Sequence, residues 1–506
     1  MKSSDKLFRL VQSLGKAEKR YFRLYATQQG SKELKYLHLF DALDKLDDYS
    51  DTQLLRQFGD EPFTNNLPQT KKYLYDAILR SLKLFFADVC ISVKLPDTLK
   101  DMRVLLNKGM VKQALRQYQR IEQIYSVNEQ YGGLFDVLSF GEQLYRTMLT
   151  NGESMKKVRS IFQQKQMCLQ YLNNLNEYVF LRNEIEYAFW TAYPGRSAET
   201  VESLKSYLQH PLLQHGKRTL SLSAEMAYYE SLHMIYLGTS DYRSLQASCL
   251  EALPLVAHTE MNAYFTLKWT TTVYQRLLTA SLYLNDGHFE QHQLAFDNYL
   301  TTYKNRVNLL DSINGQLRYQ HIQLLRYFRK GQYQEMFHLK EAICEFLEDH
   351  WSILDATNRG EVALLLAQAY VYTGQYDVAA RWTERITEAE KDHSMLSQVA
   401  WARQLQLIIH YHQGHFHLLE SLNRSVHRYL KKTDQLHTTE RSLLKFLNRV
   451  ARNQGFEVAD HERSLRKELS VVLKDAFEKR FLLGLNLVRW LDGPHPLETA
   501  TAKTRK

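Results

Sequence analysis

Apolar residues recur along this chain at spacings of three and four, the period that lines one face of an α-helix. In the first 95 residues that spacing predicts helices over 6–14, 17–27, 34–46, 52–58 and 69–91, with acidic breaks at 47–51 and 60–62. Pro96-Asp97 reads as the join between this N-terminal part and the long middle of the chain. Near the other end Leu465, Leu469, Leu473, Phe477, Phe481, Leu485 and Val488 keep the helical spacing. They predict terminal helices that cover the exposed end of the preceding structure.

Between these ends the glycines carry the information. Nine of the 20 form a ladder, Gly109, Gly152, Gly195, Gly238, Gly287, Gly331, Gly374, Gly414 and Gly455, spaced 40 to 49 residues apart. Several follow a helical apolar pattern and precede an aromatic two residues on. The clearest case is Ala367-x-x-Tyr370-x-x-x-Gly374-x-Tyr376-x-x-Ala379. Its companions are Tyr327-x-x-x-Gly331-x-Tyr333, Tyr283-x-x-x-Gly287-x-Phe289 and Gly414-x-Phe416, and Gly109-x-Val111-x-x-Ala114 keeps the frame. Glycine accepts the left-handed conformation that closes a helix. Small residues let two helices approach, and aromatics fill the space beside them.

These residues make the chain resemble the tetratricopeptide repeat (TPR) family over 97–456, most clearly 264–420. It departs from the family in a repeat near 43 residues instead of ~34 and in lacking the proline that usually ends the repeat. The resemblance implies an all-α fold: an α-solenoid of TPR-like antiparallel helix pairs. The expected organisation is an N-terminal helical module (1–95), a repeat array (96–456), C-terminal capping helices (457–492) and a disordered tail (493–506).

Composition narrows the class. Gly and Pro total 28 of 506 residues, too few for the turns of an all-β chain of this length. Aromatics make up 12% of the chain, which excludes global disorder. The net charge of +9 is mild at this length and permits an acidic partner without requiring one. Cys90, Cys168, Cys249 and Cys344 are far apart and form no C-x-x-C pair, which points to a reducing compartment. The first ten residues lack the apolar core of a signal peptide, and no stretch approaches ~20 uncharged apolar residues. The expectation is a cytoplasmic chain with no membrane association.

Enzymatic motifs are scarce. Gly216-Lys217-Arg218-Thr219 lacks the earlier glycine of a phosphate loop and reads as a turn. His288 and His292 lie four apart, but Glu290 is misplaced for a metalloprotease. His410, His412, His415 and His417 straddle the turn at Gly414, so they point apart. No catalytic, metal or cofactor set is expected.

The stronger signals are basic. Arg441, Lys445, Arg449 and Arg452 share one helix face opposite an apolar one, and Arg424, Arg428, Lys431 and Lys432 repeat the design on the helix before. No acid lies four residues from Arg441, Lys445, Arg449 or Arg452, so that array suits an acidic ligand. A second cluster, Lys16, Lys19, Arg20 and Arg23, lies beside a segment, 52–58 then 69–91, that mimics a helix-turn-helix. From the TPR resemblance, ligand-facing positions fall on Gln368 with Leu364 and Val371, and on Gln404 and Tyr411 with Ile408. The leading expectation is a non-enzymatic scaffold or adaptor that binds a segment of another protein, of acidic character, in the solenoid groove. The alternative is a cytoplasmic regulator with a nucleic-acid-binding N-terminal module and a TPR-like sensing domain.

Overall fold

In the computed structural model the described residues are 3–28, 31–46, 51–59, 64–87, 91–148, 152–192, 197–214, 218–256, 263–303, 309–351, 354–388, 395–453 and 456–492. Among them there are helices and no strand. The helices are α1 (Ser3–Gln12), α2 (Lys16–Gln28), α3 (Ser31–Asp44), α4 (Asp51–Phe58), α5 (Leu67–Ala87), α6 (Ile91–Asn107), α7 (Val111–Val127) and α8 (Tyr131–Arg146). There follow α9 (Gly152–Ala192), α10 (Ala198–Ser206), α11 (Pro211–Gln214), α12 (Leu222–Thr239), α13 (Tyr242–Ala252), α14 (Ala263–Leu284), α15 (Phe289–Tyr303) and α16 (Leu309–Lys330). The last are α17 (Tyr333–His350), α18 (Ala356–Tyr372), α19 (Tyr376–Thr387), α20 (Leu396–His412), α21 (Phe416–Lys432), α22 (Thr438–Arg452), α23 (Val458–Val472) and α24 (Leu487–Leu491).

Five ladder glycines do what the pattern asks. Gly109, Gly287, Gly331, Gly374 and Gly414 close helices with φ between +69° and +77°. At Gly374 the next amide, Gln375 N–H, donates to Tyr370 O at 2.8 Å while Gly374 N–H donates to Val371 O at 3.1 Å. These two bonds satisfy carbonyls that the helix end would leave unpaired. The aromatic two residues on then starts the next helix, Phe289, Tyr333, Tyr376 or Phe416. Helices joined by such short turns pack on each other and so run antiparallel, as α18 does on α19. Ala367, Tyr370 and Ala379 are buried at that contact, where alanines allow close approach.

Elsewhere the ladder is corrected. Gly238 lies inside α12, packed against Leu204 and Phe189, and the left-handed turn falls to Ser240 at φ +57°. Gly152 opens α9, a single helix of 41 residues where the spacing expects a pair. Gly195 and Gly455 lie outside the described residues, as do Gly216, Lys217, Cys90 and the expected tail 493–506. Near the N-terminus α1 to α5 follow the spacing closely, and Leu7 to Ile78 supply a hydrophobic cluster of their own. Pro96 and Asp97 fall within α6 rather than in a break.

A second tier of contacts joins the first helices of successive pairs: α14 packs on α16, α16 on α18 and α18 on α20. Helices α18 and α20 are buried on nearly every side. Their partners cover one side, and Gly484, Asn486 and Trp490 of the C-terminal segment pack on another. The apolar spacing of 457–492 predicts a cap over the end of the array. Helix α23 does pack on α22, but the chain then turns back along the row of first helices. Phe481 and Leu485 are buried there, whereas Val488 is exposed.

Candidate functional site

Where α9, α12, α14, α16 and α18 face one another they leave a cavity of about 590 Å³. Trp401 of α20 and Gly484 wall its far side. The lining is polar for a space between packed helices. Arg182 of α9 pairs with Glu230 of α12 at 3.1 Å. Arg276 of α14 donates from Nη1 to His233 Nδ1 at 3.3 Å. Arg318 of α16 reaches back to Lys268 O and Thr271 Oγ1, both at 3.3 Å. Gln275 Nε2 meets His321 Nδ1 at 3.0 Å, and Glu361 Oε2 lies 3.5 Å from the same nitrogen.

Burial sets the charges here. It pushes the Glu361 carboxyl up to about 8, with the nearby Asp355 acting in the same direction. It pushes the His321 imidazole down to about 4. At neutral pH both are uncharged, so their contact is an acid beside an imidazole and not an ion pair. Burial also lowers the Arg276 guanidinium, with Glu230 opposing, and holds His233 neutral, well below its usual range, with the Arg276 charge acting the same way. The cavity thus offers guanidinium and amide donors beside the carboxylates of Glu186, Glu230 and Asp355, a mixed polar lining whose donors suit carbonyl oxygens.

The far wall is a run of the chain's own backbone. Glu478 accepts from Thr438 N–H at 2.9 Å and Thr439 N–H at 3.1 Å, capping α22. Arg480 donates to Thr239 O at 2.6 Å and Gly238 O at 3.3 Å, across 241 residues of chain or more. Gly484 lies flat on Trp401, where a Cβ would come within 2.0 Å of the indole. Gln368 donates to Gly484 O at 2.8 Å and accepts from Asn486 N–H at 3.3 Å. Tyr372 O–H donates to Asn486 O at 3.0 Å. Arg489 donates to Gly331 O at 3.2 Å, and Trp490 Nε1–H donates to His412 Nε2 at 2.7 Å.

This placement revises the expected groove. Gln368, Gln404 and Tyr411 are all buried. Gln368 is engaged by the C-terminal segment, Gln404 bonds within its own helix to Ala400 O, and Tyr411 donates to Glu462 at 2.6 Å. None faces solvent while 473–492 is seated. The cavity residues do not stand out in the sequence. Their signal there is a lone cation inside an apolar helical run, as Arg276 within 273–280.

Arg424, Arg428 and Lys431 on α21, and Arg441, Lys445, Arg449 and Arg452 on α22, are each exposed. Lys445 nonetheless has an acidic partner, because Glu468 of α23 pairs with it at 2.9 Å. Helical spacing speaks only of acids on the same helix, and the partner comes from the next. The N-terminal cluster is likewise answered from a neighbouring helix: Lys19 pairs with Asp44 at 2.6 Å, and Arg23 with Asp41 and Asp44, each at 2.9 Å. Among the histidines, His410 and His415 lie 3.2 Å apart, while His412 goes to Trp490. Among the described residues no three His, Cys, Asp or Glu side chains gather as a metal site, and no helix is long and apolar enough to cross a membrane.

Compared with protein-family models, with curated proteins and with solved structures, the chain finds no match in any of the three.

Proposed function

We propose that the chain is a non-enzymatic binding module, a TPR-like α-solenoid whose inner row of helices receives a polypeptide segment from a partner protein. One observation carries the reading: that row already holds a polypeptide segment, its own residues 478–491, through backbone groups at Gly484 and Asn486 as well as through side chains. Gln368 meets a carbonyl at Gly484 and an amide at Asn486 of that segment. An amide side chain used in this way recognises peptide backbone whatever its sequence. The cavity beside it continues the same surface with donors from Arg276, Arg318 and Gln275. A partner segment entering there meets groups that suit its carbonyls.

The test is a selection of peptides from a random display library against the full chain. Peptides selected in this way are expected to lose about tenfold or more in affinity on Arg276→Ala or Gln275→Ala, one lost charged or neutral hydrogen bond being worth roughly that. Peptides that bind parent and both variants alike would place the binding surface elsewhere and overturn the reading.

A further inference from the structure

Helix α9 has a face that nothing in the described chain covers in full. Met155, Phe162, Leu169, Phe180 and Tyr187 are 43%, 62%, 48%, 62% and 74% exposed. At 100° per residue these five side chains fall within about 40° of one another, a single apolar stripe along a helix of ~60 Å. Five large apolar side chains in one exposed row are unusual on a surface that meets only water. The opposite side of the helix carries Arg182, which lines the cavity, so the stripe is a separate surface.

Four of the five are placed symmetrically along the chain, while Leu169 has polar Asn173 as its counterpart. Met155 and Tyr187 stand sixteen residues to either side of residue 171, and Phe162 and Phe180 stand nine to either side. The charges beside it are antisymmetric. Exposed Arg159 flanks the first half, and exposed Glu177 and Glu184 flank the second. A two-fold axis through residue 171 turns these facts into contacts. An antiparallel second α9 sets Phe162 against Phe180 and Met155 against Tyr187, each pair twice. It also brings Arg159 beside Glu184, and Asn176 beside Gln166. A parallel partner would instead set cations against cations and acids against acids.

We infer that the occupant of this stripe is a second copy of the same chain, packed antiparallel along α9 in an isologous dimer. The axis makes every contact self-complementary, and polar Asn176 near the centre penalises a slipped register. The dimer leaves the cavity of each copy on the far side of its α9. It therefore presents two binding surfaces and stands whether or not the cavity binds peptide.

Sedimentation of the full chain tests this. The expected result is a species of twice the chain's mass, converted to monomer by Phe162→Glu with Phe180→Glu at an unchanged far-ultraviolet helix signal. Since that variant adds charge, a second measurement fixes the geometry. Chains carrying Gln166→Cys or Asn176→Cys are oxidised singly and as a mixture, and the bridges are mapped by mass spectrometry. The antiparallel dimer joins 166 to 176 in the mixture and forms few 166-to-166 bridges. A chain that stays monomeric at every concentration overturns the inference. So does a dimer indifferent to the Glu pair, or one whose bridges join 166 to 166.

Discussion

Glu361 gives the cavity a pH response whose sign can be worked out. Its carboxyl titrates at about 8 in the folded chain and at ~4.3 when unfolded. Between those values the folded state holds a proton that the unfolded state has lost. Its contribution to stability is therefore complete below ~4.3 and lost as pH rises through about 8. His321 runs the other way. Its imidazole titrates at about 4 when folded and at ~6.5 when unfolded, so stability falls as pH drops through that window. The two slopes oppose each other at mildly acidic pH, and from ~6.5 to about 8 Glu361 acts alone. Glu361→Gln is expected to stabilise the chain increasingly as pH rises above ~4.3, the gain growing by on the order of 2–4 kcal/mol between ~pH 6 and ~pH 9. Thermal melts of parent and variant across that range read the difference. Parallel profiles would mean that Glu361 is ionised in the folded chain.

The C-terminal segment is the element on which the groove depends, and its hold can be weakened at one point. Arg480 is bound to two carbonyls at the end of α12. Arg480→Ala removes both bonds and adds no bulk. Amides of 480–491 are then expected to exchange hydrogen at least about tenfold faster, while those of α18 and α20 change less, because local opening is read separately from global unfolding. Unchanged exchange in 480–491 would show that Gly484 on Trp401 and the α24 contacts hold the segment unaided. The legibility of the elements follows the same physics. Helix pairs closed by a left-handed glycine are local events, so Gly374 and Gly414 declare them in sequence. The single α9 helix is not legible because Gly152 and Gly238 look like turn glycines, whereas one opens a helix and the other lets Phe189 and Leu204 pack close. The return of 473–492 is hidden because its apolar spacing fits a cap equally well. What separates the two is contact between residues some 116 to 242 positions apart, which no local pattern encodes. The cavity is hidden for the same reason: Arg276 and Glu361 acquire their character only once five helices surround them.

At the scale of the molecule, the row of first helices packs against residues 480–491 of the chain itself. A seated internal segment competes with any outside one at an effective concentration near the millimolar range. Partner segments should therefore bind better when the internal one is loosened. The most direct measurement uses a labelled synthetic peptide of residues 476–492, titrated by fluorescence anisotropy against full-length parent, Arg480→Ala and Gly484→Leu. The leucine side chain cannot share the space of the Trp401 indole. The predicted result is saturable binding to both variants, at least about tenfold tighter than to the parent, and lost again when Gln368→Ala is added. Equal affinity for all the chains, or no binding to either loosened variant, would contradict the claim that this face is built to hold a polypeptide segment.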